Sequence, residues 1–520
     1  MVIGTTRVES TSASSRRPIA TCVDWAICRR LDALPLAIEL AAPWLKVLSA
    51  EHLLQRLEHD VLSPTIGRRD LPARQQTMNA TVAWSYQLLE ADEQRAFRRL
   101  GVLPGLFPIE AAAAVQTEDG TTPAALEHAQ RTVAGLVERS LLQCVGGSCA
   151  TRPLYRMLET VRAYAGGELT DSGERDVAME GLARFCVTAA AAAGQQMMAR
   201  EQGAWLDRVR DDLESVRSAL SWLIEHDRHT EACEIVWQLM FFWLIRGHTV
   251  EGLRWYEQVT AATALPPSSR AAALAGTSVM WYAQGELVRA RDACEQSLML
   301  AAGSTTMAVA IAEVMLGHVE LSSGNLGPAV ARFTIALARF DDLGFAWGTS
   351  NALAGLARAA LAADDLTETD RLLGEASAAL SEAVGAWSSL LVLYVRALLA
   401  VRRNHAEEAI AHARDSIACV HSLNDRFALL YALTPLAAAA ELTGDDAWVA
   451  RIVGIRDAVT ERTGARAVDE SVRDLWERIE RDAHARLGQR RWAREHEIGR
   501  GASMESLLKE VDERIHLASR

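Results

Sequence analysis

The chain has 520 residues, of which 50% are hydrophobic and 23% are charged, and its formal net charge is −13. At roughly 150 residues per domain, this length and composition indicate a globular protein of about three domains and exclude a disordered chain. The acidic balance argues against a surface that binds nucleic acid in general.

The sequence also bears on the compartment in which the protein works. No run approaches 18 consecutive apolar residues, and the first 20 residues lack the apolar core of a secretory signal. We therefore expect a cytoplasmic protein without a membrane span. The eight cysteines form no CxxC pair, which favours reduced thiols over a metal site or a disulfide framework.

The first 75 residues predict a short strand and two helices. The segment "VIGTTR" (residues 2–7) has the pattern of a buried strand with a polar tip, and "ESTSASSRRP" after it is typical of a loop or disorder. Residues 1–22 are therefore predicted to be an N-terminal remnant. In residues 23–75, Pro35 marks a helix start and Ser49 is a candidate N-cap for "AEHLLQRL", which predicts a small helical subdomain.

Residues 76–168 predict three helices and a β-hairpin. The helical segments are "QQTMNATVAWSYQLL", "EADEQRAFRRLGVL" and "TPAALEHAQRTVAGLVERSLL". The strand candidates Leu141–Val145 and Leu154–Met157 flank "GGSCATRP", a glycine-rich turn that suits a hairpin. Residues 175–229 then predict a helical connector.

An internal repeat begins at about residue 230. Turn-forming residues recur at steps of 38, 39, 40, 40 and 40, at Gly247, Gly285, Gly324, Asp364, Asn404 and Gly444. Small residues recur at three fixed offsets from the last five turns. Seven positions before each turn stand Ser278, Gly317, Ala357, Ala397 and Ala437, and five positions after it stand Ala290, Ala329, Thr369, Ala409 and Val449. Twelve positions after it stand Ser297, Ala336, Ala376 and Ser416, and Arg456 breaks this third column. Small side chains let two helices approach closely, so residues 230–485 are predicted to be a stack of helical hairpins.

These offsets resemble those of the tetratricopeptide repeat, in which small residues and a turn residue occupy the same relative places. The period is longer than the ~34 residues of that repeat, which predicts extended helices or loops. The resemblance covers about residues 230–460. It implies a superhelix whose concave face binds a partner protein, a peptide or a small inducer.

Large aromatic residues concentrate between residues 200 and 260. Within this stretch "VWQLMFFWLIRG" is apolar nearly all round, which predicts one fully buried helix; the lining of a ligand groove is the alternative. Residues 486–520 are predicted to be a C-terminal helical tail, in which the basic stretch "RLGQRRWAR" forms a solvated face.

Several segments of the first third, "LDALPLAIELAA", "LSAEHLLQRL" and "YRMLETVRAYA" among them, resemble the STAND (NB-ARC-type) regulatory ATPases. Their relatives here would be the large bacterial transcriptional regulators of the AfsR and LuxR type. In that class "GLPLA" opens a small helical domain, and its proline packs against the adenine. The resemblance implies that Pro35 is this proline, flanked by Leu34 and Leu36, although a plain helix boundary is the alternative. "VIGTTR" resembles the strand of the sensor arginine, which implies that role for Arg7.

The sequence lacks the phosphate-binding motif of such an ATPase. A phosphate loop needs G-x-x-x-x-G-K-[ST], whose backbone amides and lysine hold the β- and γ-phosphates. No Gly-Lys-Ser/Thr occurs in the chain. We therefore expect no enzyme activity and no cofactor, with ATP or ADP bound only if a phosphate-loop domain is supplied from elsewhere. A truncated gene, a mis-called start and a stand-alone remnant all fit this pattern.

Residues 76–168 resemble the winged-helix domain of the same class. At Met157-Leu158-Glu159 the class carries Met-His-Asp, whose histidine contacts the nucleotide phosphate, and a leucine cannot donate that hydrogen bond. A DNA-reading helix needs cations, but the third helix sets Arg131 and Arg139 against two glutamates. Acidic residues also intersperse a looser basic set, Arg68, Arg69, Arg74, Arg95, Arg98 and Arg99. We expect intramolecular packing rather than direct DNA binding, with the basic residues forming a solvated face.

Taken together, the sequence predicts an all-α protein: a remnant helical ATPase subdomain, a winged helix with a small β-hairpin, and an α-solenoid of tetratricopeptide-like hairpins. The resemblance implies signal sensing and protein interaction in transcriptional regulation. Two alternatives stay open. One is an ATPase completed upstream or in trans, and the other is a regulator that binds DNA through its winged helix.

Overall fold

The computed structural model of the protein describes residues 19–30, 45, 48–59, 78–118, 120, 122–146, 152–380, 385–423, 425–463 and 469–518. The chain divides into two compact units, Met1–Phe185 and Cys186–Arg520. Helices dominate both units, which confirms the predicted all-α class. The division falls inside the stretch 175–229 that the sequence predicts to be a connector.

The first unit begins with helices α1 (Ile19–Arg30) and α2 (Ala50–His59), which pack against each other. Ser49 is the N-cap of α2, as predicted, because its Oγ accepts a hydrogen bond from the His52 N–H at 3.3 Å. Helix α1 starts at Ile19 and so includes the last four residues of the predicted N-terminal remnant. The helix predicted to start at Pro35 lies outside the described residues.

The rest of the first unit contains the three predicted helices and the predicted hairpin. Its elements are α3 (Met78–Gln87), α4 (Ala91–Leu100), β1 (Leu106–Pro108), α5 (Ile109–Gln116), α6 (Pro123–Glu138), β2 (Gln143–Gly146), β3 (Pro153–Arg156) and α7 (Glu159–Asp171). The strands form an antiparallel sheet in the order β1-β3-β2, in which Tyr155 lies opposite Phe107 on one side and Cys144 on the other.

The sequence analysis missed β1 and α5, and both omissions have a physical reason. Strand β1 has three residues, which are too few to show the alternation that identifies a strand. Helix α5 is buried from Ala111 to Gln116, so it has no polar face to produce helical periodicity.

The second unit is a succession of helices. Helix α8 (Arg175–Gln196) crosses the division and leads into α9 (Gln202–Glu225), α10 (His229–Gln238), α11 (Met240–Ile245), α12 (Thr249–Ala261), α13 (Pro267–Ala283), α14 (Leu287–Leu300), α15 (Met307–Ser322), α16 (Leu326–Leu343), α17 (Ala346–Ala362), α18 (Leu366–Ala379), α19 (Leu390–Arg402), α20 (Ala406–Leu423), α21 (Arg426–Leu442), α22 (Asp446–Thr463), α23 (Glu470–Leu487), α24 (Gln489–Arg500) and α25 (Met504–Ala518). From α13 to α22 the helices pair as hairpins, and each first helix also packs on the next first helix.

The predicted turn residues are where the hairpins reverse. All six have a positive φ, between 61° and 83°, namely Gly247, Gly285, Gly324, Asp364, Asn404 and Gly444. This left-handed conformation ends a helix and costs glycine nothing, while Asn and Asp tolerate it better than other side chains. The turn spacing therefore encodes the length of each hairpin.

The three predicted columns of small residues form the contact between paired helices. Ala357 and Ala397 on first helices and Ala329 and Ala409 on second helices are completely buried. Gly317 shows why size matters, since a Cβ there would lie 2.7 Å from the ring of Phe333 on the paired helix. The structure thus confirms the predicted stack of tetratricopeptide-like hairpins.

Arg456 breaks the third column because the stack ends beside it. Its guanidinium lies 4.8 Å from the ring centre of Trp476 and 3.0 Å from the Glu480 carboxylate. Both partners belong to α23, which packs against α22 without forming a further hairpin of the repeat. A long cation therefore takes the place of a small residue where the packing partner changes.

The segment "VWQLMFFWLIRG" is not one helix, contrary to the prediction. It is broken at Leu239, between α10 and α11. Trp243 and Phe242 are fully buried, whereas Phe241 and Leu244 keep part of their surface exposed. The break turns Phe241 towards other aromatic residues of the second unit, as described below.

The predicted C-terminal tail is built into the second unit. Helix α24 packs on α22 and α25 packs on α20. The first of these contacts is closest at two glycines: a Cβ on Gly499 would lie 2.0 Å from the Arg451 carbonyl oxygen, and one on Gly454 would lie 2.1 Å from the His496 carbonyl oxygen. Arg490, Arg491 and Arg494 are exposed, in agreement with the predicted solvated face.

Candidate functional site

The candidate site lies on the first helices of the five hairpins, α13, α15, α17, α19 and α21. Their second helices cover one side of this row. We call the side of the row that carries Arg358 and Trp347 the inner face. It contains two groups of side chains that the pairing of helices does not require, one polar and one aromatic.

The inner polar cluster is centred on Arg358 of α17 and Asp469, which directly precedes α23. Arg358 Nη2 lies 2.9 Å from Asp469 Oδ2, and the two side chains are only 12% and 2% exposed. The hydroxyl of Ser322 on α15 donates a hydrogen bond to Asp469 Oδ1. Tyr282 on α13 places its hydroxyl 3.1 Å from that of Ser322. Three successive first helices therefore converge on one carboxylate.

Aromatic rings close this cluster. The Arg358 guanidinium lies 6.0 Å from the ring centre of Tyr394, which meets Tyr431 edge to face at 5.8 Å. Burial lowers the pKa of Arg358, but the charge of Asp469 together with the neighbouring tyrosines outweighs this effect, so the pKa is raised overall. Burial also raises the pKa of Tyr282 to about 12. At neutral pH the arginine is charged and the tyrosine is a neutral hydroxyl.

His318 on α15 completes the polar cluster in its neutral form. Its Nε2 lies 2.9 Å from Asn351 Oδ1, an oxygen that accepts a hydrogen bond from a protonated Nε2. Burial, reinforced by the charge of Arg358, lowers the pKa of His318 to about 4. The cluster therefore holds one positive charge, on Arg358, rather than two.

This shift predicts that the protein loses stability in acid. Since the folded pKa of His318 lies below its unfolded value of about 6.5, its contribution is complete above pH 6.5 and is lost as the pH falls towards 4. The loss is on the order of 3 kcal/mol over that range. Urea unfolding of wild type and His318→Gln between pH 7 and 4.5 measures it, and the variant should show the smaller decline.

The matched control for this prediction is His405→Gln, because the His405 side chain is 60% exposed. It should decline with pH as the wild type does. Equal slopes for His318→Gln and wild type would contradict a neutral buried histidine.

The inner aromatic cluster comprises Phe241 of α11, Trp347 of α17, and Trp387, which lies in a 3₁₀ turn (Ala386–Ser389) directly before α19. The Trp347 and Trp387 rings stack at 5.9 Å, and Phe241 meets them edge to face at 5.0 and 5.8 Å. Trp387 Nε1 donates a hydrogen bond to Asp425 Oδ2 at 2.9 Å. The buried residues of the segment around Phe241 thus belong to the core, as predicted, and the ligand groove stays a prediction.

Helix α17 connects the two clusters. Trp347, Asn351 and Arg358 are separated by four and seven residues, which places them on one stripe of the helix. The polar and aromatic clusters are therefore neighbours along a single inner face. An extended ligand could reach both.

The beginning of the second unit folds back onto this region. The Gly385 N–H donates a hydrogen bond to the Met198 carbonyl at 2.7 Å. Arg246 donates to the Leu423 carbonyl at 2.8 Å and pairs with Asp207 at 2.6 Å. Helices before the repeat thus fix the register of hairpins far along the chain.

In the first unit, two predicted surface cations are structural. Arg98 and Arg99, each 16% exposed, hold Glu174 at 2.9 and 3.0 Å, and Arg99 also donates to the Gln116 carbonyl at 2.7 Å. Burial opposes the charge on Glu174, but hydrogen bonds from both arginines lower its pKa. A solvated face is therefore the wrong interpretation for these two residues.

The remaining arginines considered for DNA binding differ in exposure and in their contacts. Arg95 is exposed, and Arg139 pairs with Glu93 at 2.9 Å. Arg131 is also exposed. Arg68, Arg69 and Arg74 lie outside the described residues. The structure thus assigns a structural contact to three of the cations that a DNA-binding surface would need.

The predicted nucleotide contacts cannot be placed, because Arg7, Leu34, Pro35 and Leu36 all lie outside the described residues. Leu158 is buried at the N-cap of α7. The neighbouring Glu159 binds Arg30 of α1 at 2.6 Å. This position therefore joins two helices of the first unit.

Sequence reasoning missed the inner polar cluster. Its residues stand singly on separate helices, and Asp469 follows Ser322 by 147 residues. The available signal was the presence of charged and hydrogen-bonding residues in otherwise apolar first helices, which is weak in any one helix. Only the stacking of the hairpins brings them together.

Metal binding and membrane insertion are the next two properties of the described residues that bear on the function. These residues contain no group of three or more His, Cys, Asp or Glu side chains that could hold a metal ion. Helix α8 has the length and composition of a membrane span, and 44% of its most apolar window is buried. A core helix of a globular protein has the same properties, so this helix alone is weak evidence for a membrane.

No protein-family model matches the chain. Over 233 residues the chain is 36% identical to a protein of Mycobacterium tuberculosis with the provisional name HTH-type transcriptional regulator Rv0890c, a match that covers 45% of this chain and 26% of that protein. It is 38% identical over 156 residues to the uncharacterised protein Rv0894 of the same organism, covering 29% of this chain and 38% of that protein. The chain thus spans about a quarter of the length of the first relative.

Solved structures are more remote. A STAND protein with a tetratricopeptide repeat sensor from Pyrococcus horikoshii is 11% identical with a TM-score of 0.41, covering 92% of this chain and 74% of that chain. A Rap protein complexed with competence and sporulation factor is 10% identical with a TM-score of 0.37, covering 59% and 99%. The similarity to named transcriptional regulators confirms the resemblance drawn from the sequence, and the chain is an all-α protein with tetratricopeptide-like repeats.

Proposed function

We propose that the chain is a regulatory protein-interaction module whose repeats bind a partner on the inner face. The observation that carries this proposal is the inner face itself, where three first helices contribute to the polar cluster and Trp347 of α17 also belongs to the aromatic cluster. Buried charges add little net stability even when paired, whereas convergent polar groups beside an apolar surface suit ligand recognition. The similarity to transcriptional regulators supports the regulatory role.

The partner in this proposal is a protein or a peptide, because the two clusters extend along one helix stripe. A small inducer is the second candidate, and a cavity of about 290 Å³, which shares Asp425 with the surroundings of the inner aromatic cluster, favours it. That volume is close to the lower end of small-molecule sites. Its lining includes Val420, His421, Asp425, Arg462, Ser503 and Leu507.

Co-purification with the tagged full chain tests the main proposal. Arg358→Gln, at the centre of the inner polar cluster, should lose the partner that the wild type retains. Arg371→Gln is the matched control, because the Arg371 side chain on α18 is 53% exposed. Circular dichroism must show both variants folded. Equal retention by both folded variants would contradict binding at the inner face.

Two further parts of the proposal concern nucleotides and DNA. We propose that the chain works in the cytoplasm, is not an enzyme, and uses its winged-helix-like first unit for packing rather than direct DNA binding. Tryptophan fluorescence of the purified chain should therefore stay constant with millimolar ATP or ADP. A saturable change would favour the ATPase alternative, and a gel shift that weakens steeply with salt would favour the DNA-binding one.

A further inference from the structure

We propose that the inner polar cluster is a binding site for a carboxylate group of the partner, and that Asp469 occupies this site in the free chain. The inference rests on the proposed function, since it names the chemical group that the inner face recognises. It also assigns Asp469 a regulatory role, as an internal competitor of the partner.

The donors of the site all belong to the repeats, whereas Asp469 directly precedes α23. Tyr282, Ser322 and Arg358 lie on three successive first helices, whose packing is fixed by the buried small residues of the hairpins. The site therefore brings one guanidinium and two hydroxyls together on helices whose backbones are fixed by packing. A guanidinium offers paired N–H donors that match a carboxylate.

The Asp469 side chain makes unusual contacts for a residue at the start of a helix. It stands at the N-cap position of α23, where an aspartate normally accepts hydrogen bonds from its own helix, yet its side chain caps nothing there. Instead it reaches Ser322 and Arg358. The Asp469 carboxylate thus contacts residues far away in the sequence and makes no N-cap hydrogen bond to α23.

The fit of Asp469 is also incomplete. Its Oδ2 lies within ion-pair distance of Arg358, but it accepts no aligned hydrogen bond from the described residues. In the proposed exchange, a free carboxylate of the partner takes the place of the Asp469 carboxylate and is not tied to the backbone of residue 469. The exchange leaves Arg358 paired, so it avoids the large cost of a buried unpaired charge.

The charge of the site favours a monoanion. His318 is neutral, and Asn351 holds its ring nitrogen at 2.9 Å. Nearby acids of α15 already have partners, Glu320 with Arg291 and Glu313 with Arg332. One positive charge therefore faces one carboxylate, and a dianionic phosphate would be left partly uncompensated.

Chemical rescue tests the site directly. Asp469→Gly removes the atoms of an acetate ion, so acetate is the probe. At pH 7 and constant ionic strength, the variant should melt at least about 5 °C below wild type, and acetate should restore most of this loss. Acetamide, which has the same shape without the charge, and chloride should restore none. Wild type should gain nothing from acetate beyond the effect of chloride.

Two variants serve as controls. Asp474→Gly makes the same change at an exposed position of α23 and should show no specific effect of acetate. The double variant Arg358→Gln with Asp469→Gly should have a lower melting temperature than wild type, and acetate should not restore it. If Asp469→Gly is unfolded at 25 °C, the refolded yield in acetate against acetamide gives the same comparison.

Equal effects of acetate and acetamide, or rescue of the double variant, would overturn the carboxylate site. Competition is tested separately, because Asp469→Asn should retain more of the co-purifying partner than wild type, and equal or lower retention would refute the regulatory role. Partner binding without acetate rescue would leave the proposed function intact and remove this inference. Acetate rescue in a chain with which no partner co-purifies would support the carboxylate site and count against the proposed function.

Discussion

Replacing Arg358 with methionine should lower the free energy of unfolding by about 3–5 kcal/mol, one of the two largest effects that we expect in this protein. The substitution leaves Asp469, whose side chain is 2% exposed, as a buried charge without its cation. Urea unfolding followed by tryptophan fluorescence measures the loss.

Two further variants separate charge from packing in this prediction. Arg371→Met, at an exposed position of α18, should change stability by at most about 0.5 kcal/mol. The double variant Arg358→Met with Asp469→Leu should recover most of the loss, because apolar residues often replace a buried ion pair without cost. A double variant as unstable as Arg358→Met would show that shape, rather than the uncompensated charge, decides the result.

Gly499→Ala should destabilise the second unit by about 2–3 kcal/mol, although the same change normally favours a helix. The added methyl group would lie 2.0 Å from the Arg451 carbonyl oxygen, and backbone atoms cannot swing aside as a flexible side chain can. Helix α24 must therefore move away from α22. Thermal unfolding of the full chain measures the effect.

Gly374→Ala is the control for the glycine prediction, because Gly374 lies in helix α18 with no atom within 4 Å of the added Cβ. This change should stabilise the chain by roughly 0.5–1 kcal/mol. Opposite signs for the two substitutions would confirm that close backbone approach, rather than helix propensity, controls Gly499. Equal signs would contradict it.

The displacement of α24 has a consequence for ion pairs at the end of the chain. Arg451 of α22 binds Glu495 of α24 at 2.7 Å and Glu510 of α25 at 3.0 Å. Separating α24 from α22 stretches the contact with Glu495. Helix α25 has further ion pairs with the hairpins, Arg514 with Asp445 and Arg414 with Asp512, so the disturbance is expected mainly at α24.

The sequence determined the repeat because the relevant physics is local. A residue such as Asn404 or Gly444 adopts a positive φ wherever a helix must end and reverse, and its spacing sets the length of each hairpin. Residues such as Ala357 allow close packing by size alone. Turn position, helix pairing and all-α class could therefore be predicted without tertiary information.

Only the tertiary structure decided which residues meet across the stack. The pairing of Arg358 with Asp469, the approach of Gly499 to Arg451 and the clamp of Arg98 and Arg99 on Glu174 join residues far apart in the chain. Such contacts leave no periodic signal, because each partner occurs once and its exposure depends on elements packed later. The sequence therefore specified the hairpins, and their stacking created the candidate site on the inner face.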